Sequence, residues 1–334
     1  MLRPARGTAS RFSRWRSRSS RRMVEAPPAL EARSLSKQFG AKVAVRELSL
    51  TLPRGEVFGF LGPNGAGKTT SMKMLLGLVR PTSGEGRLLG EPLGAARGRA
   101  RVGYLPEHFA FHEWLEGREL LRFHARLLGM PTRGLDAGVE ERLRRVNLAD
   151  AATRRVREYS KGMKQRLGIA AALVHDPGLL ILDEPTIGLD PAGMLEMRQL
   201  LRRLAKEEGK TILLSSHLLH EVEQVCDRVL ILQKGRTIAS GRVDELLEQG
   251  GYIEVRIDRE AEALSVLRNL DWVAGAQLRD GVIYVDAPPE RAAELTAALS
   301  NQGLYLRGLQ VTERSLESYF LDVTGSDGQD GDDG

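Results

Sequence analysis

Glu56-Val57-Phe58-Gly59-Phe60-Leu61, followed by Gly62-Pro63-Asn64-Gly65-Ala66-Gly67-Lys68-Thr69-Thr70, is the stretch that decides the fold. Its first six residues form a short apolar run that reads as a buried strand, and the residues from about Lys68 to Val79 read as a helix. Between them the spacing fits G-x-x-x-x-G-K-[ST]. Glycines there let backbone N–H groups turn inward on a polyphosphate, and the helix that follows aims its positive end at the same charge. Lys68 adds a mobile cation for the outer phosphates, and Thr69 offers a hydroxyl to Mg²⁺. The candidate nucleotide-binding set is therefore Gly62, Asn64, Gly65, Gly67, Lys68, Thr69 and Thr70.

A polyphosphate site also needs a carboxylate for its metal. Leu179-Leu180-Ile181-Leu182-Asp183-Glu184 supplies one at the end of a second apolar run. Asp183 is the candidate for holding Mg²⁺, and Glu184 beside it for polarising an attacking water. Two acids ending a strand can equally be a solvated strand terminus; the Gly-rich loop upstream is what favours chemistry.

The whole chain sets the bounds. At roughly 150 residues per domain, 334 residues imply two domains. A composition of 42% hydrophobic and 28% charged residues argues against wholesale disorder. No apolar run approaches the roughly 18 residues that span a bilayer. Cys226 is the single cysteine, which excludes an intramolecular disulfide framework. The net charge is +5, but residues 1–22 hold eight arginines and no acid, and the last ten residues hold four aspartates. The body between them is nearly neutral and gives no electrostatic footprint for nucleic acid.

Residues 1–29 read as a disordered basic leader. For the arginine-rich part, an over-extended start ahead of Met23, a basic arm touching anionic lipid or nucleic acid, and a transit peptide remain alternatives. Alternating patterns at Leu30–Lys37 and Lys42–Leu52 predict paired strands, 113–172 reads as mostly helical, and Thr211–Ser215 as a buried strand. Lys234-Gly235 marks a hairpin. Gly250-Gly251 looks like a boundary. Beyond it the order strand 252–257, helix 260–269, strands 272–278 and 282–286, helix 289–301, strand 304–311 suggests a small ferredoxin-like α+β domain. The expected division is a cassette over 30–249, this domain over 250–324, and a disordered acidic tail over 325–334. Of the other histidines, His108 and His112 share a helical spacing but lack a third metal ligand nearby.

Five motifs stand in one order: Gly62–Thr69, Tyr159-Ser160-Lys161-Gly162-Met163-Lys164-Gln165-Arg166, Leu182-Asp183-Glu184-Pro185-Thr186, Gly188-Leu189-Asp190-Pro191 and Ser215-Ser216-His217. In this the chain resembles the ATP-binding subunit of ABC transporters, in the multidrug and polysaccharide export branch. The resemblance implies an α/β P-loop NTPase cassette with an antiparallel β subdomain and a helical subdomain carrying the signature. It implies ATP and Mg²⁺ as cofactors. It implies a head-to-tail pair with a second copy of the cassette, or with a different one, in which Ser160 and Gly162 of one chain face phosphates held by the other. His217 would contact the γ-phosphate beside Glu184, Asp190 would lie at the subunit boundary, and Phe39 matches an aromatic that stacks on adenine. A lone Phe before Gly is as often a hydrophobic turn anchor. Tyr159, Lys161 and Met163 depart from the usual Leu-Ser-Gly-Gly-Gln signature. Glu107 stands where many relatives carry Gln, as a further Mg²⁺ ligand candidate.

The resemblance also implies a separate transmembrane permease, whose coupling helix enters a groove near Phe111 and Trp114, and hence a peripheral position on the cytoplasmic side of the inner membrane. Ser315-Leu316-Glu317-Ser318-Tyr319-Phe320-Leu321-Asp322-Val323-Thr324-Gly325 matches the end of export-branch cassettes. The competing readings are a soluble ABC ATPase acting on DNA, RNA or ribosomes, and a P-loop kinase or switch GTPase. The chain lacks tandem cassettes, zinc-binding cysteines and an Asn-Lys-x-Asp motif.

Overall fold

A computed structural model describes residues 27–248, 252–312 and 315–325. The arginine-rich leader, the Gly250-Gly251 boundary and the acidic tail beyond Gly325 lie outside the described residues. The chain opens with a hairpin, β1 (Leu30–Phe39) and β2 (Lys42–Leu52), followed by β3 (Val57–Leu61), α1 (Lys68–Leu75), β4 (Ser83–Leu88), β5 (Glu91–Pro92), α2 (Ala96–Arg99) and β6 (Val102–Leu105). The helical stretch divides into α3 (Gly117–Leu127), α4 (Leu135–Arg145) and α5 (Lys161–Ala172). Then come β7 (Leu179–Asp183), α6 (Pro191–Lys206), β8 (Thr211–Ser216), α7 (Leu219–Val225), β9 (Arg228–Gln233), β10 (Arg236–Arg242) and α8 (Val243–Glu248). The remainder is β11 (Tyr252–Ile257), α9 (Glu260–Arg268), β12 (Gly275–Arg279), β13 (Val282–Asp286), α10 (Ala292–Ser300), β14 (Leu306–Thr312) and α11 (Leu316–Gly325).

Three sheets result, ordered β2-β1-β4-β5, β10-β9-β3-β8-β7-β6 and β12-β13-β11-β14. The second is parallel except for the β9–β10 hairpin. Its strands are apolar on both faces, and strand alternation splits them between two cores. Phe58, Phe60, Leu179, Ile181, Leu213, Leu230 and Leu232 face the first sheet, together with Leu30, Leu35 and Leu48. Val57, Leu61, Leu180, Leu182, Ile212, Leu214, Val229 and Ile231 face the helices, with Leu120, Leu167 and Leu200. Each such side chain contributes about 1.5–3 kcal/mol on burial. The sheet is therefore held from both sides, and the loops at the C-terminal ends of β3, β7 and β8 start from a fixed frame.

Several expected boundaries shift, and two of the shifts have a clear local cause. α1 ends at Leu75, not near Val79, because Gly77 at φ +69° takes the chain out of the helix and Leu78 and Val79 both return their N–H groups to the Lys73 carbonyl. β12 starts at Gly275 and not at 272, since the Val273 N–H closes a turn on the Leu270 carbonyl. The third sheet has its own core, built from Ile253, Val255, Ile283 and Val285 against Leu267, Leu295 and Leu299. Read across the sheet, its strands are the second, third, first and fourth of the unit in chain order.

Gly59 fixes how closely β3 and α7 approach. A Cβ there would stand 2.6 Å from Val222 Cγ1 and 3.1 Å from Cys226 Sγ. Gly59→Ala should cost about 1–3 kcal/mol by overpacking. A denaturation midpoint equal to that of the parent chain would contradict this packing.

Candidate active site

The loop after β3 carries the first part of the site. Gly62 sits at φ +148°, and a Cβ on it would fall 2.2 Å from the Leu232 carbonyl oxygen, so only glycine lets the loop leave the sheet this way. Lys68, at the start of α1, is 6% exposed and donates to the Gly62 carbonyl at 2.6 Å. Its Nζ also lies 3.3 Å from Glu184 Oε1. The other oxygen of that carboxylate, Oε2, is 2.9 Å from His217 Nδ1. One buried carboxylate thus stands between a lysine and an imidazole.

Glu184 adopts φ +52°, an unfavourable backbone for a non-glycine residue. Ser215 at the end of β8 holds it there. The Ser215 hydroxyl accepts from the Glu184 N–H at 2.9 Å and donates to Asp183 Oδ1 at 2.5 Å. This works because parallel pairing puts Asp183 of β7 opposite Ser215 of β8. Asp183 is 1% exposed, and its second oxygen, Oδ2, is buried without a hydrogen-bond partner. An orphaned carboxylate oxygen at this depth is costly unless a cation satisfies it. Thr69 lines the adjoining cleft, so this donor set fits a hard divalent cation.

The cleft has a volume of about 760 Å³. Asn64, Gly65, Gly67, Lys68, Thr69, Thr70, Glu107, Glu184 and His217 all line it. Gly62 contributes the carbonyl beneath Lys68, and Asp183 lies directly behind Glu184. Ser160, Gly162 and Asp190 line a different cleft of about 400 Å³, with Lys161, Arg166 and Gly188. Two helices begin there: the Ser160 hydroxyl accepts from the Met163 N–H at 3.2 Å to cap α5, and the Asp190 carboxylate accepts from the Gly193 N–H at 3.0 Å to cap α6. The two clefts share no lining residue. Phe39 lines neither; it is half exposed at the end of β1, with Lys37 Nζ 4.9 Å from its ring centre. His108 lies 3.7 Å from Glu107, and His112 packs on Trp114 with ring centres 4.8 Å apart. Among the described residues no group of three or more His, Cys, Asp or Glu side chains could hold a metal ion.

Sequence reasoning missed three contributors. Lys42–Ala44 of β2 and the Lys234-Gly235 turn form walls of the cleft around Lys68. The Ser215 hydroxyl binds both acids, a role visible only once β7 and β8 are known to be neighbours. Tyr104 on β6 is the third: burial, then the charge of Asp183, pushes its phenol up to about 12.

The match to the ABC transporter family model covers residues 45–187. An ABC transporter ATP-binding protein of Nostoc sp. is 41% identical over 84% of this chain and 82% of its own length. The bacitracin transport ATP-binding protein of Bacillus licheniformis is 36% identical over 89% of this chain and 97% of its own. Among solved structures, cbiO1 of Clostridium perfringens, described as part of an ABC transporter complex, superposes with a TM-score of 0.61 at 27% identity, over 73% of this chain and 96% of that one.

A phosphate loop, a paired acid strand end and a histidine gathered at the C-terminal ends of β3, β7 and β8 define a P-loop ATPase cassette. With these relatives, the chain belongs to the ATP-binding subunits of ABC transporters. It binds ATP, and as a member of that family it is an ATPase that drives transport. Among the described residues no helix is long and apolar enough to cross a membrane.

Two measurements test this geometry. Ser215→Ala leaves Asp183 and the Glu184 N–H unpaired, which should cost about 1–3 kcal/mol of stability and lower ATP turnover; an unchanged melting curve would contradict it. The Tyr104 phenol ionises less readily folded than unfolded, so stability is lost as pH rises from the ordinary 10 toward about 12. Absorbance titration should lose its highest-ionising tyrosine in Tyr104→Phe, and in Asp183→Asn that group should titrate lower.

Proposed function

We propose that the chain is the ATP-hydrolysing motor of an exporter, acting as a pair with a second copy and driving a separate membrane permease from the cytoplasmic side of the membrane. One observation carries the pairing: the phosphate cleft and the Ser160–Asp190 cleft are separate surfaces of a single chain. A nucleotide held by one copy is then completed by the helix starts of the other, whose N–H groups suit an anion. The 36% identical bacitracin transport protein supports export, and the cbiO1 subunit's membership in a complex supports a permease partner. Phe111 and the exposed Trp114, next to the entry of α3, offer apolar surface for that partner. The strand order of the C-terminal sheet supports its reading as a ferredoxin-like unit.

Within the site each residue has a definite task. Lys68 exchanges its contacts with Glu184 and the Gly62 carbonyl for the outer phosphates. Thr69 and Asp183 hold Mg²⁺, with Glu107 facing the same cleft; the ion's contribution is to offset phosphate charge. Glu184, freed from Lys68, accepts the proton of the attacking water, while His217 fixes the carboxylate from its other side and faces the γ-phosphate. Closure of the pair on ATP and reopening after hydrolysis supply the stroke to the permease.

Glu184→Gln should bind ATP, lose nearly all turnover, and accumulate as a dimer in light scattering with Mg²⁺ and ATP. A monomer under those conditions would contradict the pairing. Lys68→Ala should weaken ATP binding sharply by calorimetry, and unchanged affinity would remove the phosphate loop from the site.

A further inference from the structure

Helix α11 follows the C-terminal sheet but buries itself in the cassette. Leu316 is fully buried in the same core as Val222 and Val225 of α7 and Val243 of α8, and Tyr319 and Phe320 pack against that core. The start of the helix is fixed twice. Ser315 and Ser318 cap each other, each hydroxyl accepting the other's N–H, at 3.1 and 3.2 Å. The Leu316 N–H donates to Glu223 Oε2 of α7 at 2.9 Å.

Helix α7 is the element into which the His217 loop runs. His217 directly follows β8, and the Leu218 N–H donates to the Ser216 hydroxyl at 3.0 Å just before α7 begins. Seven residues are too few to hold a helix by themselves, so its position comes from its neighbours. Val222 presses on Gly59 of β3. From α6, Arg198 reaches Glu221 at 3.5 Å and the Gln224 side chain at 3.2 Å, and Arg202 donates to the Gln224 carbonyl. α11 adds the third support, and it alone of these comes from beyond the cassette's own sheet.

We infer that α11 is a clamp on α7 that sets the reach of His217 to Glu184, with Leu316 and Glu223 as positioning residues for ATP hydrolysis. The inference rests on the proposed role of His217. The site itself touches neither residue: both act by keeping α7, and through it the loop after β8, where His217 Nδ1 meets Glu184 Oε2. The C-terminal unit is thereby joined mechanically to the hydrolysis machinery.

The test is steady-state ATPase kinetics and ATP-binding calorimetry on the full chain, with Leu316→Ala and the gentler Glu223→Gln, each made alone and with His217→Ala. Leu316→Ala should lower kcat at least about fivefold and Glu223→Gln about twofold. ATP affinity and KM should stay within twofold of the parent. On His217→Ala neither should reduce kcat further, because the group they position is gone. Losses that multiply with that of His217→Ala, or a fall in ATP affinity matching the fall in kcat, would overturn the clamp while leaving His217 in its role. A parental rate for His217→Ala would remove both assignments. Should Leu316→Ala fail to fold, Glu223→Gln decides by the same pattern.

Discussion

A lysine ammonium taken out of water must be met by an anion, and in this chain that requirement organises the site. Lys68 is 6% exposed and faces Glu184 at 3.3 Å. Removing either partner alone would leave an uncompensated charge in a poorly solvated place. The pair is therefore stable yet exchangeable, since a phosphate can take the carboxylate's place beside the lysine. His217 on the far oxygen gives Glu184 a second partner that does not depend on Lys68.

The two cores explain why the charges sit where they do. Alternation along β3, β7, β8 and β9 sends odd and even side chains into different hydrophobic layers, so a register slip of one residue would invert every one of them. Register is consequently strongly specified, and it is register that sets Asp183 opposite Ser215. The strained backbone at Glu184 persists because a hydroxyl from the next strand holds its N–H.

Much of this was readable in the residues. The strand–loop–helix around Gly62–Thr69 is contiguous in sequence, so spacing alone places its glycines and its lysine in one loop. Asp183 and Glu184 close an apolar strand and were legible for the same reason. Ser215, Tyr104 and the Lys42–Ala44 wall were not, because each acts across a strand pairing or a sheet-to-sheet contact that no local pattern encodes. The apolar pattern overruns the end of α1 by a few residues, as Leu78 and Val79 continue it after the Gly77 turn has already broken the helix. Leu316 belongs with this second group: the sequence sets it after β14, while packing puts it among residues about a hundred positions earlier.

The C-terminal sheet is strung between α8 and α11, and those two helices pack on one another. The helix that leaves that sheet is also seated on α7, so the sheet and the element after His217 share one support.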